Sequence, residues 1–266
     1  MANARGDADR VEPSGSAPAI AVLDLWKAFA GRDVLRGINL EVGAGESFVI
    51  VGQSGAGKSV LLKHLIGLIA PDRGHVIIDG EDLTNSDAAR CLEIRRKFGM
   101  SFQEGALFDS MDVFGNIAFP LKRHTRMGEE EIAARVRQCL VLVHLEGVER
   151  KATSELSGGM RRRVGFARAI ALQPEILLFD EPNTGLDPIT SAVIDNVIVE
   201  MRDHLKATMV TITHDMKSAF RIADRIAMLR NGRIIANARP EEFRSSADPY
   251  IQKFLAGEAA EEEEVA

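Results

Sequence analysis

Tyrosine and tryptophan are almost missing from this chain of 266 residues: one of each stands against 12 phenylalanines and a hydrophobic fraction of 45%. The core must therefore be mainly aliphatic, as in soluble α/β proteins. Cysteine is scarce too. Cys91 and Cys139 have no paired or metal-ligating spacing, so both read as ordinary thiols of a reducing compartment. No apolar run approaches the roughly 18 residues that a membrane-crossing helix needs, and the best candidate, Val60 to Ala70, is broken by Lys63 and His64. The polar N-terminal stretch lacks the apolar segment of a secretory signal, so the expectation is a cytoplasmic chain with a disordered leader over 1–18. A basic excess is missing as well. There are 33 basic and 39 acidic residues, and Glu258 with Glu261 to Glu264 supplies five of the net −6, which leaves the body near −1. That balance gives no support to a nucleic-acid footprint. The glutamates of 258–266 read as a solvated, disordered tail.

The length suits one large domain with an inserted subdomain. AIAVLDLW, INLEV and ESFVIV read as short strands, the last two separated by a GAG turn, so the chain begins β-rich. A glycine-rich loop from Gly52 then leads into KSVLLKHLIGLI, whose apolar residues recur at helical spacing until Pro71. HVIIDG and FGMSFQ read as strands, and Glu129 to Leu145 as a helix with acidic residues at its N-terminal end. EILLFD and TMVTIT are continuous apolar runs of the buried parallel kind. Asn231-Gly232 between RIAMLR and RIIA signals a hairpin with a type I′ turn. Strands alternating with helices around a glycine loop imply an α/β fold with a mostly parallel sheet covered on both faces.

Three segments carry chemistry. Gly52-Gln53-Ser54-Gly55-Ala56-Gly57-Lys58-Ser59 fits G-x-x-x-x-G-K-[ST] after an apolar strand and at the start of a helix. In that setting backbone N–H groups and the helix N-terminus hold phosphate oxygens, Lys58 faces the β/γ-phosphates and Ser59 offers a hydroxyl to Mg²⁺. Ile176-Leu177-Leu178-Phe179-Asp180-Glu181 delivers two carboxylates to the C-terminal edge of the sheet. Asp180 is placed to hold Mg²⁺ through water and Glu181 to polarise an attacking water. Leu156-Ser157-Gly158-Gly159-Met160, followed by an arginine-rich helix, exposes a hydroxyl and free N–H groups at a second helix N-terminus. One chain thus carries two anion-binding ends.

With these motifs, the sequence from about Ala19 to Gly257 resembles the ATP-binding subunits of ABC transporters. The resemblance implies a P-loop fold with a RecA-like core, an N-terminal antiparallel β subdomain and an α-helical subdomain inserted at about 104–170. It also implies ATP and Mg²⁺ as ligands and a homodimer that sandwiches two ATP molecules head to tail. By position, Phe29 is similar to the aromatic that stacks on adenine and Gln103 to the glutamine that senses the γ-phosphate and Mg²⁺. Leu186-Asp187 is similar to the loop that crosses the dimer seam, where Asp187 also suits a cap of the helix starting near Pro188. His214 is similar to the histidine switch at the γ-phosphate. Met160 departs from the glutamine most common in the family.

Phe102 to Met111, the continuation VFGNIAFPL, LSGGMRRR and PYIQKFLAG further resemble the ATPases of the Mla/Mce type, which serve transport of phospholipids or other hydrophobic molecules between bacterial membranes. That likeness implies permease subunits, a periplasmic Mce-type lipid-binding subunit, a place on the cytoplasmic face of the inner membrane, and no nucleic-acid partner. Phe108, Phe114 and Phe119 can be subdomain core or a groove that grips a permease helix. An amino-acid importer or a lipoprotein-releasing ATPase is the alternative among transporters. A DNA-maintenance ATPase fits poorly, because only about 97 residues separate Lys58 from Glu155, too few for long coiled coils.

Overall fold

A computed structural model describes residues 17–103 and 105–258. The leader expected over 1–18 and the tail expected over 258–266 fall almost wholly outside the described residues, as does Glu104. The chain opens with an antiparallel hairpin, β1 (Ile20–Phe29) and β2 (Arg32–Val42). After β3 (Ser47–Val51) and α1 (Lys58–Leu65), the strands β4 (Arg73–Ile78) and β5 (Glu81–Asp82) complete a four-stranded antiparallel sheet of order β2-β1-β4-β5.

The second sheet is the frame of the molecule. After α2 (Ala88–Arg95) come β6 (Phe98–Ser101), then three helices: α3 (Val113–His124), α4 (Glu129–Leu142) and α5 (Gly158–Ile170). The remaining strands are β7 (Ile176–Asp180), β8 (Thr208–Thr213), β9 (Arg225–Arg230) and β10 (Arg233–Ala238), with α6 (Pro188–Leu205) between β7 and β8 and α7 (Met216–Ile222) between β8 and β9. The order is β10-β9-β3-β8-β7-β6, parallel throughout except for β10. The period of two along β3 decides what each face buries. Phe48 and Ile50 join Leu61, Leu62 and Leu65 of α1 and the inner face of the antiparallel sheet in one core, whereas Val49 and Val51 join the cluster formed with α3 to α7. Two short helices, α8 (Pro240–Arg244) and α9 (Pro249–Ala256), close the described chain.

Local chemistry explains the agreement with the sequence. Asn231 and Gly232 both take positive φ, 47° and 76°, as a type I′ turn between β9 and β10 requires. Asp187 caps α6, its Oδ1 accepting from the N–H groups of Ile189 (2.9 Å) and Thr190 (3.0 Å). Glu131 accepts from the Gly128 N–H at 2.7 Å and so closes the start of α4.

The helix after the glycine loop ends at Leu65, well before Pro71. Gly67 turns the chain at φ 65°, so that the N–H groups of Gly67 and Leu68 return to the carbonyls of His64 and Lys63 (both 2.9 Å), and the Arg95 guanidinium takes the carbonyls of Ile66 (3.0 Å) and Gly67 (2.6 Å) just past the helix. The helix expected over Glu129 to Leu145 likewise stops at Leu142, ahead of His144 at φ 53°.

Candidate functional site

Parallel pairing aligns the C-terminal ends of four neighbouring strands. Val51 of β3 pairs with Thr213 of β8, Ile212 of β8 with Asp180 of β7, and Phe179 of β7 with Ser101 of β6. The segments leaving these ends therefore meet: the glycine loop after β3, His214 after β8, Glu181 after β7 and Gln103 after β6. Ligands in open α/β sheets bind at such an edge. β8 lies between β3 and β7, so Glu181 approaches the glycine loop across the end of a third strand rather than from an adjacent one.

The glycine loop is tightly specified. A Cβ on Gly52, whose φ is 155°, would lie 2.3 Å from the Leu229 carbonyl oxygen, and one on Gly57 (φ 106°) would lie 3.1 Å from the Val34 carbonyl oxygen. Lys58 is buried, and its ammonium donates to the carbonyls of Gly52 (2.7 Å) and Gln53 (3.0 Å). Glu181 Oε1 stands 3.5 Å from the same nitrogen. Burial pushes the Lys58 pKa below its usual value, while the charges of Glu181 and Asp180 pull it back. Asp180 behaves oppositely: burial and the neighbouring Glu181 charge raise its pKa, and a hydrogen bond from Ser59 lowers it.

Glu181 occupies the left-handed region at φ 48°, an uncommon place for a residue other than glycine. Its Oε2 accepts from Thr184 Oγ1 at 3.1 Å and is 2.8 Å from His214 Nδ1. These groups surround a cleft of ≈ 660 Å³ whose walls include Gln53, Ser54, Gly55, Lys58, Ser59, Gln103, Glu181, Thr184 and His214. The volume suits a nucleotide-sized ligand.

The other expected residues lie elsewhere. Phe29 ends β1, 44% exposed, with Lys27 Nζ 5.5 Å from its ring centroid, while Val34 lines the cleft. Ser157, Gly158, Gly159 and Asp187 are not among the residues lining it. Ser157 caps α5, its Oγ accepting from the Met160 N–H at 3.3 Å, and both Ser157 and Gly158 are exposed. Gly159 is buried, and a Cβ there would meet Thr190 Cγ2 at 2.5 Å, so the missing side chain lets α5 pass close to α6. The three phenylalanines divide. Phe114 packs on the helical core, whereas Phe108 and Phe119 stack at 4.8 Å with about two fifths of each exposed, Phe108 at 41% and Phe119 at 40%.

Some residues escaped the sequence reading. Thr184 sits one turn after Glu181, a spacing that could have flagged it. Asn183, Asp195 and Ser218 form a buried polar cluster, with Asn183 Nδ2 and Ser218 Oγ each 2.7 Å from Asp195 Oδ1, and no local pattern announces it. Asn116 is fully buried and holds the Phe108 loop, its Oδ1 accepting from Phe108 N–H at 2.8 Å and its amide donating to Phe108 O at 3.1 Å.

A glycine loop on a parallel sheet, with a lysine in its helix and a carboxylate pair from the same edge, defines a P-loop nucleoside triphosphatase. The ABC transporter family model matches residues 35–184. The chain is 42% identical over 239 residues to "Probable ribonucleotide transport ATP-binding protein mkl" of Mycobacterium leprae (strain TN), covering 90% of this chain and 69% of that one. It is 40% identical over 226 residues to the "Intermembrane phospholipid transport system ATP-binding protein MlaF" of Escherichia coli (strain K12), covering 85% and 84%. Among solved structures, an ATP-binding cassette dimer in a post-hydrolysis state bound to ADP and Pi matches with a TM-score of 0.77 at 30% identity, covering 83% of this chain and 98% of that one. The chain belongs to the ABC transporter family and is its ATP-hydrolysing subunit. Among the described residues, no helix is long and apolar enough to cross a membrane.

Proposed function

We propose that this subunit works as a head-to-tail homodimer on the cytoplasmic face of a bacterial inner membrane and energises the movement of phospholipid between membranes. One observation carries the dimer: the cleft that holds Lys58 and Glu181 is not lined by Ser157, Gly158 or Gly159 of the same chain, so the second anion-binding end is free to meet the nucleotide of another copy. The MlaF relative and the Mla/Mce-like segment from Phe102 to Leu121 support the lipid cargo.

In this reading Gly52, Ser54, Gly55, Ala56, Gly57 and Lys58 hold the phosphates, with Phe29 against adenine and Asp187 at the seam. The oxygen donors Ser59, Asp180 and Gln103 suit Mg²⁺, because Asp180 is a half-buried carboxyl whose raised pKa a cation would reverse and which already touches the Ser59 hydroxyl. Mg²⁺ would neutralise charge on the β- and γ-phosphates. Among the described residues no group of three or more His, Cys, Asp or Glu gathers to hold a metal, in keeping with an ion shared with the nucleotide. Glu181 accepts a proton from water as the water oxygen bonds to the γ-phosphorus, and the bond from that phosphorus to the β–γ bridging oxygen breaks, so that ADP leaves with that oxygen. Thr184 and His214 keep the accepting oxygen in place. The exposed Phe108 and Phe119 rings form the permease-facing surface, and an Mce-type subunit lies beyond the membrane.

The test is phospholipid transfer between vesicles that carry the complete complex, with bound cargo identified by mass spectrometry. ATP-dependent lipid transfer is expected from the parent and none from Glu181→Gln, whose ATP binding persists. Transfer of ribonucleotide in place of lipid would overturn the cargo reading, and unimpaired ATP turnover in Glu181→Gln would overturn the assignment of the base.

A further inference from the structure

Three consecutive arginines, Arg161, Arg162 and Arg163, follow the exposed end of α5, and only the middle one is buried. Its guanidinium reaches backbone on two of the strand-edge segments that build the cleft. Nε donates to the carbonyl of Gln103 at 2.8 Å, Nη1 to the carbonyl of Pro182 at 2.8 Å, and Nη2 to the carbonyl of Thr184. A planar fork with fixed donor directions suits three carbonyls shared between two separate loops, and an ammonium on a flexible stem does not.

The surroundings reinforce this grip. The Arg168 guanidinium donates to the Gly105 carbonyl at 2.8 Å and lies 5.5 Å from the Phe108 ring centroid. A Cβ on Gly165 would lie 2.9 Å from Gly105 Cα, so α5 meets the loop after Gln103 backbone to backbone. On the other side, Thr184 presents its hydroxyl to Glu181 Oε2 from the stretch that Arg162 holds by its carbonyl. Glu181 itself sits in left-handed backbone, a conformation that persists only where the surrounding structure dictates it.

We infer that Arg162 is a positioning residue for hydrolysis: it ties the helix whose first residues include Gly158 to the loops that place Gln103 and Glu181. The inference rests on the roles proposed above for those two residues. Arg162 touches no reacting atom. It acts through the backbone of Gln103 and through Thr184 onto the Glu181 carboxylate, so a nucleotide engaged at the end of α5 and the hydrolysis machinery of the same chain move as one body.

The test uses Arg162→Lys and Arg162→Met in the complete complex, with ATP affinity measured on the full-length subunit. Misplacing a positioned group by about 1 Å lowers rate on the order of 10²-fold. Both variants are therefore expected to lose about 10- to 100-fold in kcat while the Kd for ATP changes less than about threefold. Lys should rescue no better than Met. Thr184→Val, which keeps Arg162 and removes the hydroxyl, should give the same split. Since both act along one path, the double variant Arg162→Lys/Thr184→Val should lose less than the product of the two single losses.

A parent-like kcat in Arg162→Lys, or multiplicative losses in the double variant, would overturn the inference. So would parallel losses of kcat, affinity and melting temperature, which mark a purely structural role. If Arg162→Met does not fold, the Lys and Thr184→Val variants decide the matter. Glu181→Gln is run alongside: should it retain turnover, the reading of the base has failed, whereas an inactive Glu181→Gln beside a parent-like Arg162→Lys sinks only the role of Arg162.

Discussion

Replacing Lys58 by methionine should abolish nucleotide binding at working concentrations and leave the fold standing. The ammonium has three N–H donors, and two are taken by the carbonyls of Gly52 and Gln53. Among the described residues, the third direction meets Glu181, at 3.5 Å. A phosphate oxygen can accept from it without displacing either loop carbonyl. Two unit charges about 4 Å apart at an effective dielectric of about 20 attract by roughly 4 kcal/mol. Part of that is offset as Glu181 loses its share of the lysine, which leaves a weakening of about 10²- to 10³-fold in the Kd for ATP. Methionine keeps much of the buried stem. It also relieves the desolvation that pushes the Lys58 pKa down, against the loss of two hydrogen bonds. The melting temperature should accordingly move by no more than about 4 °C. Calorimetric titration with ATP beside a thermal melt provides both quantities. A Kd within about threefold of the parent in a folded Lys58→Met would refute the assignment of Lys58 to phosphate.

Three other outcomes are expected. Mixed dimers of Lys58→Ala with Ser157→Arg place both lesions in one composite site and spare the other, so ATPase activity should partly return; mixtures that exchange subunits yet stay as inactive as the parents would exclude independent composite sites. Gly159→Ala sets a Cβ 2.5 Å from Thr190 Cγ2 and should destabilise the chain by about 1–3 kcal/mol in urea titration. Adding Thr190→Ser, which deletes that methyl and keeps the hydroxyl donated to Asp187 Oδ2 at 2.5 Å, should restore most of it; no restoration would show that the clash is not the cause. Burial pushes the Cys139 thiol up to about 11, so at pH 8 only on the order of one thiol in 10³ is ionised in the native state. Iodoacetamide followed by peptide mass spectrometry should label the half-buried Cys91 first, and equal labelling of the two in folded protein would contradict the packing.

The readings that held are those whose physics is local. A turn needing two positive φ values calls for Asn-Gly, and Asn231-Gly232 supplies it. An aspartate before proline at a helix start has its oxygens within reach of the first free N–H groups, as at Asp187. The glycine loop, the run ending in Asp180-Glu181 and the serine heading α5 are short enough for residue types at fixed spacing to state their own backbone and charge. The helix end at Leu65 was hidden because Arg95, thirty residues later, holds the carbonyls of Ile66 and Gly67 just beyond it.

From sequence alone came the residue types of the proposed site: the glycine loop with Lys58 and Ser59, the Asp180-Glu181 carboxylates, and a second helix N-terminus at Ser157. Tertiary structure decided which of these meet. Parallel register brought Gly52, Gln103, Glu181 and His214 to one edge while keeping Ser157 off it, and burial separated Arg162 from Arg161 and Arg163 and Phe114 from Phe108 and Phe119. Helical period hinted at Arg162, one turn before the buried Phe166, yet its three carbonyl partners lie about 20 and 60 residues away. Contacts of that range are set by strand order and close backbone approach, for which adjacent residues carry no signature.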